Sequence, residues 1–133
     1  MMFPAVLLAA ALLLPPPIAS AHLARSFDAC IGYYPPEGLC RDTAEYLVGD
    51  HPRIRATIEP AHSDLRAALW RRVPHQPWAK LATVAINEQG RMAYEWTPQP
   101  GDARLYHPYR FRFVIHGHGS SDIVRLWVYN PDF

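Results

Sequence analysis

Three groups of side chains in this chain have types and spacings that could do chemistry. The first is histidine. Ala19-Ser20-Ala21 places small residues where a signal peptidase requires them, so cleavage after Ala21 makes His22 the first residue of the mature chain. A terminal amine and its own imidazole can chelate one metal ion. With further imidazoles from His116 and His118 the site becomes nitrogen-rich and suits Cu(II). If a strand ran through His116-Gly117-His118, residues two apart would point to the same side and both rings could converge.

The second group is a set of arginines and aromatics in the C-terminal half. Arg91, Arg110, Arg112 and Arg125 fall on the polar phase of alternating segments, with Glu95 among them and Trp127 and Tyr129 in phase with Arg125. Guanidinium forks grip carboxylates and phosphates, and arginine with tryptophan is the composition of protein-protein hot spots. The bland counterpart is a solvated sheet face whose arginines pair with Glu95 or Asp102. The third group is Cys30 and Cys40, which bracket a turn-rich stretch bearing Tyr33-Tyr34-Pro35-Pro36. They are expected to form a structural disulfide, displaying Tyr33 and Tyr34 on a stiff tip that could enter a partner's cleft or pack on the domain itself. Neither a Cys-x-x-Cys redox spacing nor a set of soft metal ligands accompanies them.

The histidine arrangement resembles the N-terminal copper sites of lytic polysaccharide monooxygenases and of CopC-like proteins, which implies copper bound by His22 with His116 and His118. Phe113 to Gly119 is similar to the strand and His-Gly-x-Gly turn of α/β-hydrolases, but Ser120 and Ser121 are not in a Gly-x-Ser-x-Gly frame and no nucleophile with a placed base can be named. The acidic residues near the disulfide have no acid-base spacing, and no phosphate-cradling glycine loop is present. The chemistry therefore favours a non-catalytic binding or interaction module, with a copper-binding protein or copper redox enzyme as the alternative. The partner is expected to be a protein or a small ligand.

The elements that would position these residues begin with a leader. Ala5 to Leu14 is an apolar run of about ten residues, short of the roughly 20 needed to cross a bilayer, and Pro15-Pro16-Pro17 ends it. Residues 1–21 read as a signal peptide and 22–133 as a single domain, secreted or periplasmic, with no membrane attachment after cleavage. All 13 basic and 12 acidic residues follow the cut, and a net charge of +1 offers no basis for nucleic-acid binding.

The expected fold is α+β. Asp42 and Glu45 look like a capping box opening a short helix over Thr43 to Val48, closed by Gly49. Arg53 to Glu59 alternates, which favours a short strand. Pro60 suits a first helical position, and Ala61, Leu65, Ala68 and Leu69 share a helical stripe, predicting the main helix over Pro60 to Arg72. Segments 80–87, 91–97, 109–116 and 123–129 alternate with period two, which predicts a four-stranded antiparallel meander covered by that helix. This plan resembles the cystatin-like and NTF2-like architectures.

Overall fold

The structure of the protein, a computed structural model, describes residues 24–32 and 39–131. The chain forms β1 (Ser26–Gly32), β2 (Cys40–Arg41), β3 (Thr43–Leu47), β4 (Arg53–Glu59), β5 (Arg66–Arg72), β6 (Trp78–Ala85), β7 (Arg91–Glu95), β8 (Tyr109–Ile115), β9 (Gly119–Ser120) and β10 (Val124–Tyr129), with one 3-10 turn at Pro100–Asp102. There is no α-helix among the described residues.

The strands divide between two sheets. The smaller runs β2-β1-β4-β7, and the larger runs β3-β10-β8-β5-β6 with β9 added on β8. Period-two alternation explains each strand: Ile54, Ala56 and Ile58 of β4 turn inward between half-buried Arg53, Arg55 and Thr57, and Tyr109, Phe111, Phe113 and Ile115 of β8 turn inward between Arg110, Arg112 and Val114. The inner faces of both sheets share one core, to which Phe27 and Ile31 contribute from one side and Leu69, Val124, Leu126 and Val128 from the other. Trp96, just beyond β7, carries the contact between sheets, with its ring 4.9 Å from Tyr109 and 5.5 Å from Phe111.

This order is the connectivity of an immunoglobulin-like sandwich. Strands β1, β4 and β7 take the places of A, B and E, and β5, β6, β8 and β10 those of C, C′, F and G. A second feature agrees. Tyr109, at the start of β8, donates its hydroxyl to the carbonyl of Asp102 at 2.7 Å, the bond of a tyrosine corner. Burial, reinforced by the Asp102 carboxylate and opposed by Arg104 and Arg71, raises the Tyr109 pKa above its ordinary 10.0. The folded state thus disfavours the phenolate, so the unfolded chain ionises first; the contribution of Tyr109 to stability is constant below about pH 10 and is lost as pH rises through the folded pKa. Tyr109→Phe is expected to cost about 1 kcal/mol at neutral pH through the lost hydrogen bond. It should also lessen the alkaline loss, as measured by urea unfolding at neutral pH and near pH 11.

The expected α+β class is corrected by these strands. The helix over Pro60 to Arg72 is absent: residues 60–65 turn the chain, and β5 follows with Ala67 and Leu69 fully buried while Ala68 and Trp70 face outward. Alanine and leucine favour helix in isolation, but pairing with β6 on one side and β8 on the other overrides that preference. The short helix over Thr43 to Val48 is likewise β3, held parallel to β10, and the Asp42 carbonyl accepts a hydrogen bond from Arg125 N at 2.9 Å. The four C-terminal segments do not form one meander, because β7 belongs to the smaller sheet and β6, β8 and β10 to the larger. The disulfide is present as expected. Cys30–Cys40 joins β1 to β2 within one sheet, and closing so short a loop contributes roughly 3 kcal/mol by the chain-entropy estimate.

Candidate binding face

The outer face of the larger sheet gathers most of the predicted binding residues. Its cross-strand register builds a continuous row. Trp78 of β6 lies opposite Arg72 of β5, Arg72 opposite Arg110 of β8, Arg110 opposite Arg125 of β10, and Arg125 opposite Thr43 of β3. A second row beside it runs Lys80, Trp70, Arg112. Directly opposed residues have Cβ atoms about 5 Å apart, so the three arginines of the first row span about 10 Å.

The electrostatics of this face are one-sided. The six strands of the larger sheet carry seven arginine and lysine residues, of which Arg71 lies on the inner phase opposite Phe111, and one carboxylate, Glu45, which faces Trp127. Like charges in directly opposed positions destabilise a sheet, so the row Arg72, Arg110, Arg125 is unfavourable unless something anionic meets it. Ion pairs join Arg25 to Glu59 and His51 to Glu95, both elsewhere on the surface. Two contacts orient the row. Arg72 Nε donates to the Gln76 carbonyl at 2.9 Å, and the Arg112 guanidinium carbon lies 4.7 Å from the centre of the Trp78 ring. Arg112 Nε is buried with no acceptor among the described residues.

The other predicted site residues separate. Arg91 lies on the opposite face of the molecule, opposite Thr57 in the smaller sheet, and Glu95 lies on that strand too. Tyr33, Tyr34 and His22 fall outside the described residues. His116 and His118 do not continue a strand, because β8 stops at Ile115 and His118 N bonds the Ile115 carbonyl in a tight turn. His116 is exposed, whereas the His118 ring lies 4.2 Å from that of His62 in the β4–β5 turn. The Ala24 amide bonds the His118 carbonyl at 3.3 Å. Among the described residues no cluster of three or more histidine, cysteine or acidic side chains is placed to hold a metal ion.

Sequence reasoning missed Trp70 and Arg72, which fall in the expected helix, Lys80, which opens an expected strand, and Trp78 between them. The usable signal was the strand alternation of Ala67-Ala68-Leu69-Trp70, which puts Trp70 in phase with the arginines across from it. No protein-family model matches this chain, and neither does any curated protein by sequence.

Proposed function

We propose that this domain is an exported, non-catalytic binding module that uses the outer face of its larger sheet to hold a protein partner presenting carboxylates. The observation that carries the reading is the row Arg72, Arg110, Arg125, three directly opposed cations with Trp70, Trp78 and Arg112 alongside and no carboxylate paired to them among the described residues. Carboxylates entering this row would form bidentate, charge-assisted hydrogen bonds and relieve the repulsion between the arginines. The tryptophans would supply the apolar contact that keeps water from those bonds. Export is supported by the signal-like residues 1–21 and by a disulfide consistent with an oxidising compartment.

The test uses poly-L-glutamate as the probe, with tryptophan fluorescence as the readout. Saturable binding that weakens with added salt is expected, and Arg110→Glu with Arg112→Glu should weaken it more than tenfold. Unchanged affinity in that double variant would remove the face from consideration. Tighter binding of a sulfated polysaccharide than of poly-L-glutamate would overturn the assignment of a protein partner.

A further inference from the structure

Two loops at the same end of the sandwich bring a pair of imidazoles together. His75 comes from the turn between β5 and β6 and His107 from the segment leading into β8, and their ring centres lie 4.5 Å apart with the planes at 75°. Both residues are exposed. Among the described residues neither ring nitrogen is taken up by a hydrogen bond or an ion pair, so the lone pairs remain available to a ligand.

Each loop is stiff. The Val73 carbonyl accepts the Gln76 amide at 3.0 Å across Pro74 and His75, and His75 has φ of +66°, the arrangement of a type II turn with proline in its second position. Glycine or asparagine ordinarily takes that left-handed position, so the turn itself gives no reason for an imidazole there. Arg72 Nε closes the turn on the Gln76 carbonyl at 2.9 Å. On the other loop, His107 precedes Pro108, which confines its backbone to extended geometry. It lies two residues before Tyr109, whose hydroxyl donates to the Asp102 carbonyl, and the Arg104 amide ties the same loop to the Val128 carbonyl at 2.9 Å. Two rings are thus presented to solvent from fixed backbones, which lowers the ordering cost of a ligand they share.

The separation selects the ion. Two imidazoles bound at a right angle on one metal, each nitrogen about 2.0 Å from it, have ring centres about 4.5 Å apart, whereas tetrahedral ligation spreads them to about 5.1 Å. The observed spacing matches neighbouring corners of a tetragonal site, the geometry of Cu(II), and copper also heads the divalent series for nitrogen donors. No third histidine, cysteine or acidic side chain joins the pair among the described residues, which leaves the hard, oxygen-seeking ions without ligands. We infer that His75 and His107 together bind one Cu(II) ion at the surface, its other positions open to water. This pair is distinct from the His22, His116 and His118 set suggested by the sequence, and it takes no ligand from the arginine row.

Cu(II) titrated into the mature domain tests this, with amide signals as the readout, because the paramagnetic ion broadens only its neighbours. Saturable broadening should appear at His75, Gln76 and His107, and it should vanish on acidification, since imidazole ligates only in its neutral form. His75→Gly removes one ligand and suits the turn, so it should leave the fold intact while weakening copper binding at this site at least tenfold. His107→Ala should do the same, and Zn(II) should bind the unaltered pair less tightly than Cu(II). Broadening that spares these residues and falls on His62 and His118 instead, retention of the site in a folded His75→Gly or His107→Ala domain, or Zn(II) binding as tight as that of Cu(II) would overturn the inference.

Discussion

Replacing Phe111 with alanine is expected to lower the stability of the domain by about 3–5 kcal/mol, a large part of the 5–15 kcal/mol typical of a small domain. Phe111 is fully buried on β8, which is flanked by β10 and β5, and its ring meets Trp96 from the facing sheet. Removing it leaves a cavity at the junction of both layers, where neither sheet can close without moving a paired strand. The same strand carries Arg110 and Arg112 on its other side, so loss of Phe111 loosens the backbone that holds the cationic row. Urea unfolding of Phe111→Ala and of Val114→Ala separates the two faces, because Val114 points outward and should cost far less. A Phe111→Ala effect below about 1 kcal/mol would show that β8 is not the centre of the packing.

Gly90→Ala is expected to be the second severe change. Gly90 has φ of +77°, and a Cβ there would lie 2.2 Å from the Ile58 carbonyl oxygen and 3.1 Å from the Ala61 Cα. The Gly90 carbonyl also accepts the Ile58 amide at 2.9 Å, so backbone approaches backbone and nothing flexible can yield. The left-handed conformation alone costs a non-glycine residue about 1–2 kcal/mol. The clash adds to that. Gly117 provides the comparison, since it too has positive φ, +81°, but a Cβ there would meet nothing within 4 Å. Gly117→Ala should show the conformational cost alone, and Gly90→Ala should exceed it by more than about 1 kcal/mol in denaturant unfolding. Equal effects would mean that the β4 and β7 ends are not in close contact.

Much of the strand content was legible because one buried face imposes alternation. Ile54, Ala56 and Ile58 declare β4, and Tyr109, Phe111, Phe113 and Ile115 declare β8, without any knowledge of their neighbours. β5 was not legible for the opposite reason. Ala61, Leu65, Ala68 and Leu69 fit a helical stripe as well as Ala67 and Leu69 fit a strand face, and alanine and leucine tip an isolated segment toward helix. β3 was obscured by Asp42 and Glu45, whose spacing imitates a helix start while the strand takes its hydrogen bonds from β10, far along the chain. Alternation also reports which side of a strand is buried and not which strand lies beside it. The polar residues of β7, β8 and β10 therefore looked like one face, although Arg91 lies on one sheet and Arg110, Arg112 and Arg125 on the other. His62 was invisible as a neighbour of His118 because the two come from separate turns.

The parallel ladder between β3 and β10 sets the order in which the molecule can be completed. Arg125 to Tyr129 pair with Thr43 to Leu47, so an early segment waits for the last strand before its backbone groups are satisfied. Such long-range pairing incurs its loop-closure entropy before any contact offsets it, which makes it a slow, late event. Until then the edge of β10 stays open to any extended chain nearby, and the molecule is at its most vulnerable to mispairing just before its final seam closes.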